Sequence, residues 1–239
     1  MAEETKEKKE EKENFKLSLV EMEKAGLSFG HRTSKIHPKM KPYLQGVRNT
    51  VHMINLEKTQ EKFKEALKYI KELAQEEKTL LLVGTKIQFK DLVKEIAKET
   101  NLPYIVQRWL GGTFTNFKII RKRIDYFKEL EEKKQKGELE KYTKKERLNI
   151  DKEVRDLEEK FAGIKNMEKL PEAVFILDMK KDSLAVKEAK EKGIKIIAIA
   201  DTNVDPSLAD YIIPANDDAI SSVRYILEKV KDVIIENRK

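Results

Sequence analysis

The chain has 239 residues, enough for one α/β domain with a buried core and an appendage but too few for two large domains. Charged residues make up 39% of it, against roughly 25% in an average soluble protein, so the chain either faces a polyanion or carries long solvated helices. It has no cysteine, which excludes disulfides, thiolate metal sites and a cysteine nucleophile and fits a reducing cytoplasm.

Residues 1–14 mix Glu and Lys without an apolar stretch, so they predict a solvated, disordered tail and neither a signal peptide nor an anchor. No apolar run approaches the roughly 20 residues that span a bilayer, and a soluble intracellular protein with no membrane partner is expected. Phe15, Leu19, Met22 and Leu27 predict a short amphipathic helix ending near Gly26. Gly30, Pro38, Pro42 and Gly46 then punctuate the chain too densely for a regular helix, and the segment is expected to be largely an ordered loop.

From Val51 onward strands and helices alternate. Val51–Ile54, Thr79–Val83, Tyr104–Val106, Ala173–Leu177, Ile194–Ile199 and Tyr211–Ile213 read as strands, most of them continuously apolar. Glu57–Glu76, Gln88–Glu99, Ser183–Lys192 and Asp217–Glu236 read as helices between or after them. Strands buried on both faces lose the polar alternation of a half-exposed strand, so the pattern predicts a three-layer, doubly wound α/β core with a mainly parallel sheet.

One insertion breaks the alternation. Phe117, Ile120, Ile124 and Phe127 mark one helical leg, a charged turn surrounds Gly137, and Ile150, Val154, Leu157, Phe161 and Ile164 step by four and three along a return leg. Two legs with one apolar stripe each predict an antiparallel helical hairpin, a protruding coiled coil over 116–165. The expected organisation is therefore a tail over 1–14, a core split between 15–115 and 166–239, and the hairpin between its parts.

The net charge of +7 is unevenly placed. Between Gly26 and Leu56 lie Arg32, Lys35, Lys39, Lys41 and Arg48 with no acid, and between Asn101 and Ile124 lie Arg108, Lys118, Arg121, Lys122 and Arg123 with no acid. The rest of the chain is slightly negative. Chance could leave either window free of acid in a Lys-rich chain, but both also hold much of the unusual Gly, Pro and aromatic content, which favours a binding surface for a polyanion.

Other motifs carry less. Val83-Gly84-Thr85-Lys86 lacks the second glycine of a phosphate loop, and no strand is followed by G-x-G-x-x-G, so a tight strand-to-helix turn is the better reading. Asp178, Asp201, Asp205, Asp217 and Asp218 gather at strand ends, where a divalent cation could sit, yet they also read as turn and cap residues, with Asn216 or Asp217 placed to cap the last helix. His31, His37 and His52 lack metal-ligand spacing, and His31 and His37, in the first basic loop, are expected to contact RNA or pack in that loop; no metal or cofactor is expected. Trp109 could be core, as a lone tryptophan usually is, but its place beside Gly111 and Gly112 favours a contact surface, because paired glycines let backbone approach a phosphate.

Phe29-Gly30-His31, Pro38-Lys39-Met40-Lys41-Pro42-Tyr43, Val83-Gly84-Thr85-Lys86, Arg108-Trp109-Leu110-Gly111-Gly112-Thr113 with Thr115-Asn116-Phe117, Asp201-Thr202-Asn203 with Asp205-Pro206, and Ile213-Pro214-Ala215-Asn216-Asp217-Asp218-Ala219 follow one another along the chain. This ordered set, covering nearly all of 15–236, resembles the bacterial small-subunit ribosomal protein S-two family. The resemblance implies a flavodoxin-like or Rossmann-like core with a protruding coiled coil, a place near the junction of the small subunit's body and head, and a neighbour, ribosomal protein S-one, in organisms that have one. It also implies a cytoplasmic, structural role with no catalysis.

The expected interface comprises His31, Arg32, Lys35, Lys39, Lys41, Arg48, Arg108, Trp109, Lys118, Arg121, Lys122 and Arg123, holding small-subunit ribosomal RNA by its phosphates and shape, with neighbouring ribosomal proteins as further partners. The rival expectations are an enzyme using the strand-end aspartates and a protein-only scaffold built on the hairpin.

Overall fold

The computed structural model describes residues 15, 17–141 and 143–238; the tail expected over 1–14 lies outside them. Seven α-helices and eight strands are assigned among the described residues: α1 Leu19–Lys24, β1 Phe29–Arg32, β2 Leu44–Arg48, β3 Val51–Ile54, α2 Leu56–Gln75, β4 Leu80–Val83, α3 Lys90–Thr100, β5 Tyr104–Ile105, α4 Phe117–Gln135, α5 Lys144–Phe161, β6 Ala173–Ile176, α6 Ser183–Lys192, β7 Lys195–Ala200, β8 Tyr211–Pro214 and α7 Ile220–Asn237. Five strands form a parallel sheet in the order β5-β4-β6-β7-β8, the mainly parallel α/β fold expected of the sequence. No described helix is long and apolar enough to cross a membrane.

The chain clusters into two compact units. The first draws on the chain up to Lys78, on Leu177–Lys180 and on Ile196 onward. Within it β7 and β8 pair in register Ile197↔Tyr211 to Ala200↔Pro214. Helix α2 starts where Asn55 Oδ1 accepts from the N–H groups of Glu57 (2.9 Å) and Lys58 (3.3 Å), satisfying donors that a helix start leaves unpaired. It buries Phe63, Leu67, Ile70 and Leu73, the stripe expected from the sequence. Its Thr59 hydroxyl donates to the Pro214 carbonyl at the end of β8 (2.6 Å), and Tyr69 stacks on Tyr211 with ring centroids 4.5 Å apart.

The first basic window is not largely a loop: β1 and β2 flank β3 in a three-stranded antiparallel sheet, order β1-β3-β2. Val51–Ile54, expected in the parallel alternation, is the centre of this second sheet. Proline and glycine exclude a long helix here but not short strands. Pro38 opens a 3-10 turn over Pro38–Tyr43, where its missing N–H leaves nothing unpaired. A two-residue turn at Asn49 and Thr50, both with positive φ, joins β2 to β3.

The second unit contains Thr79–Ile176 and Lys181–Lys195. Strand β4 is buried along its length and lies between β5 (Leu82↔Tyr104) and β6 (Leu80↔Ala173). Helices α4 and α5 fill the stretch between β5 and β6 and run antiparallel: Lys134 pairs with Asp151 (2.7 Å) near their turn, and at the other end Arg121 donates to the Met167 carbonyl (3.0 Å). Ile120, Ile124, Phe127 and Leu130 of α4 and Val154, Leu157 and Phe161 of α5 are buried, whereas the expected seam residue Ile150 is only half-buried. Gly137 at φ +73° lies after α4, and Thr143 with Glu146 forms a capping box that starts α5. The hairpin is anchored at Gly163, where a Cβ would come within 2.1 Å of the Tyr104 carbonyl oxygen, so only glycine fits.

Candidate nucleic-acid interface

In the first window Arg32, Lys35, Lys41 and Arg48 are exposed and carry no ion pair among the described residues. Lys39 differs. Its Nζ lies 2.8 Å from Asp205 Oδ2 and 2.8 Å from Ser207 Oγ, and the lysine, with the Ser207 hydroxyl, holds the Asp205 carboxyl well below the usual carboxylate range. Asp205 also accepts from the Ser207 N–H (2.9 Å), which is the turn chemistry expected of it.

His31 faces inward instead of toward a ligand surface. Its Nδ1 lies 3.1 Å from Asp201 Oδ2, its Nε2 contacts Asn203 Nδ2 (2.9 Å) and lies 3.6 Å from Asp218 Oδ2. The hydrogen bond to Asp201 raises the imidazole pKa against the opposing effect of burial. With a neutral ring, Nδ1–H donates to Asp201 and Nε2 accepts from the Asn203 amide. Once protonated, the ring would be satisfied by a turned Asn203 amide, whose Oδ1 otherwise lies buried without a partner.

Asp201, 1% exposed, also accepts from the Thr202 N–H (2.5 Å), the Thr202 hydroxyl (3.1 Å) and the Asp217 N–H (3.4 Å). His31, Asp201 and Asp217 each offer a ligand atom within 4.8 Å of the others, the donor types that suit a divalent cation such as zinc. The sequence reading kept histidines and strand-end aspartates apart, because the chain separates them by most of its length. Asp217 does not occupy the cap position of the last helix. Asn216 Oδ1 accepts from the N–H groups of Asp218 (2.8 Å) and Ala219 (3.1 Å), and Ala219 occupies the cap position without a side-chain bond.

The second window contains a larger departure. Trp109 is 5% exposed, packs edge-on against Phe114 at 4.8 Å, and its indole N–H donates to Glu188 Oε1 (3.2 Å). It is a core residue, not a contact surface. The N–H groups of Gly112 (2.8 Å), Phe114 (2.9 Å) and Thr115 (3.2 Å) and the Thr115 hydroxyl (3.3 Å) converge on the same carboxylate. The loop thus makes an anion nest, but an internal carboxylate fills it. Burial alone would push the Glu188 carboxyl up, yet the hydrogen bonds from Phe114, Gly112, Thr115 and Trp109 outweigh it and leave the pKa below its ordinary value.

Sequence reasoning missed Glu188, although one signal was present: it shares the buried face of α6 with Ala185 and Ala189, where periodicity calls for an apolar residue. Around the loop Arg108, Lys118, Lys122 and Arg123 remain exposed, while Arg121 is half-buried and spent on Met167 and on Asp125 (3.3 Å). The fold therefore leaves nine of the ten window cations exposed, pairs the exposed Lys39 with Asp205, and turns Arg121, His31 and Trp109 to partners within the fold.

A family model described as ribosomal protein S2 matches residues 22–237. The chain belongs to this family. Proteins named small ribosomal subunit protein uS2 are similar to it along most of its length. That of Roseiflexus castenholzii is 47% identical over 222 residues, covering 93% of this chain and 84% of the relative. That of Dictyoglomus thermophilum is 47% identical over 220 residues, covering 92% and 89%, and that of Geotalea uraniireducens is 45% identical over 220 residues, covering 92% and 86%. The family match spans both units and both basic windows.

Proposed function

We propose that the chain is a structural component of the small ribosomal subunit that binds ribosomal RNA and neighbouring ribosomal proteins, ribosomal protein S-one among them, and supports translation without catalysis. The observation that carries this is family membership along almost the entire chain, with relatives named for the small subunit. The exposed cations of the two windows supply the chemistry. Each Arg or Lys that meets a backbone phosphate releases condensed counterions, which gives affinity without base readout. Glu188 acts indirectly, holding the loop from which Arg108 and the start of α4 project. The segment 116–165 serves as an arm reaching a second RNA or protein surface.

Co-sedimentation with small subunits at physiological salt tests the reading. The full chain should pellet with them, and failure to do so removes the proposal. Glutamine at Arg32, Lys35, Lys41 and Arg48, or at Arg108, Lys118, Lys122 and Arg123, should weaken association and flatten its salt dependence, by up to about 0.9 in log–log slope for each phosphate no longer neutralised. The same change at Lys6, Lys8, Lys9 and Lys12 should do much less, because Glu neighbours neutralise that segment. Equal effects from all three sets would mean that the windows are not docking surfaces.

A further inference from the structure

The antiparallel sheet of the first unit has two unlike faces. His52 and Ile54 of the central strand β3 are buried, while Val51 and Met53, pointing the other way, are half-exposed. Residues directly opposite one another across antiparallel strands share a face. Arg32 of β1 and Arg48 of β2 both pair with Val51, so two guanidinium groups flank one apolar residue in a single row, their backbones about 10 Å apart across two strand spacings. In the next row Phe29 and Gly46 both pair with Met53. Phe29 is 47% exposed, and Gly46 has no atom within 4 Å of where a Cβ would stand. The outer face thus carries an accessible aromatic ring and two apolar side chains with an arginine on either side, and no acid occurs in the chain from Gly26 to Leu56.

We propose that this face binds a single-stranded RNA segment, stacking a base on Phe29 and holding the adjoining phosphates with Arg32 and Arg48. The inference rests on the ribosomal reading above only in taking RNA as the polyanion. Single-strand binders combine cations that follow the backbone with aromatic rings on which bases stack, the combination found here. A duplex would engage the arginines but has no unstacked base to offer Phe29. The open space over Gly46 leaves room for a flat base beside the Met53 row. The tight Asn49–Thr50 turn fixes the separation of β2 and β3 and so presents the arginines on a rigid frame.

Fluorescence anisotropy of the full chain with a labelled oligouridylate of about ten nucleotides, within the usual range of roughly 4–16 for such platforms, tests this beside an RNA duplex of matched length. The wild type should prefer the single strand. Phe29→Ala should weaken single-strand binding on the order of tenfold with little change in salt slope, and leave duplex binding unaltered. Phe29→Trp should bind at least as well as the wild type. Arg32→Gln with Arg48→Gln should weaken binding and lower the salt slope by about 1.4. Circular dichroism checks that each variant folds, and the exposed Phe29 side chain makes that the expected result. Preference for the duplex, no effect of Phe29→Ala, or a Phe29→Trp as weak as the alanine variant would overturn the proposal. In parallel co-sedimentation, a wild type that joins the small subunit but ignores the oligonucleotide overturns the sheet-face inference alone. A wild type that binds the oligonucleotide through Phe29 but does not join the subunit overturns the ribosomal reading alone.

Discussion

The two basic windows look alike in sequence and are built on opposite principles. Each lacks acid along its own stretch, and in each the fold brings a buried carboxylate from far along the chain. In the first window Asp201 receives side-chain and backbone donors around His31, and the cations stand apart on strands and a 3-10 turn. In the second, one carboxylate, Glu188, gathers the backbone donors of the glycine-containing loop together with the indole of Trp109. The first window is a surface decorated with charge; the second is a loop locked by an internal anion, with its cations at the margins. Local charge thus marks where a polyanion can be met, but not which donors remain for it.

The largest expected effect is at the lock. Glu188→Ala strands the buried N–H groups of Phe114 and Trp109 and the half-buried N–H of Gly112 at once. Each stranded donor costs about 1–3 kcal/mol, so urea denaturation should show a loss of roughly 3 kcal/mol or more. Removing the exposed charges of Arg108, Lys118, Lys122 and Arg123 should change stability by less than about 0.5 kcal/mol. A Glu188→Ala protein as stable as the wild type would mean that the loop is held by packing alone and that the comparison between the windows fails.

The lock should also respond to acid. Because the folded protein depresses the Glu188 pKa, the carboxylate contributes stability above the ordinary glutamate range near about 4.3, and loses that contribution as pH falls through the folded value. Measured against Glu188→Gln, the wild-type advantage should be complete at neutral pH and shrink on acidification. An advantage that grows toward acid pH would contradict the assigned hydrogen bonds.

In the first window the comparison sharpens to single residues. Lys39 is bound to Asp205 and Ser207, whereas Lys41 carries no such pair among the described residues. If Lys41 meets a phosphate, Lys41→Gln should lower the salt slope of subunit binding by up to about 0.9. Lys39→Gln should lower it less, since its charge is already opposed by the Asp205 carboxylate. Equal slopes would show that Lys39 leaves Asp205 on binding.

Legibility follows the same divide. Strands β4, β6 and β7 could be read because burial on both faces makes them continuous apolar runs, and α2 could be read because its stripe repeats over five turns' worth of sequence. Strands β1 and β2 could not, since they are short and mostly exposed and carry glycine, so neither apolar period nor propensity marks them. For the site, cations were visible as side chains, but their partners were not. His31 meets Thr202 across 171 positions and Trp109 meets Glu188 across 79, and no local pattern encodes such pairings. Trp109 was misread because glycines beside an aromatic residue look the same whether the loop receives a phosphate or a carboxylate of its own.

The smallest effects come from how the windows turn their chains, and they should have opposite signs. The second uses Gly112 at φ +89°, where a Cβ would lie 3.3 Å from Asn116 Cβ; Gly112→Ala adds left-handed strain and a tight contact. The first uses Asn49 at φ +48° and Thr50 at φ +65° in the two-residue turn from β2 to β3. Asparagine tolerates that region, but a β-branched threonine is poorly suited to it, and asparagine followed by glycine is the favoured pair for such a turn. For an L-residue the left-handed conformation costs about 1–2 kcal/mol, while glycine's extra freedom in the unfolded chain costs about 0.5–1 kcal/mol. Thr50→Gly should therefore stabilise the chain by several tenths of a kcal/mol to about 1 kcal/mol, and Gly112→Ala should destabilise it by more than that. Thermal denaturation of the two variants compares them directly. Because Arg48 and Val51 bracket the Thr50 turn, Thr50→Gly should also leave oligonucleotide affinity unchanged; a loss of affinity with a gain in stability would mean that the threonine side chain itself meets the RNA.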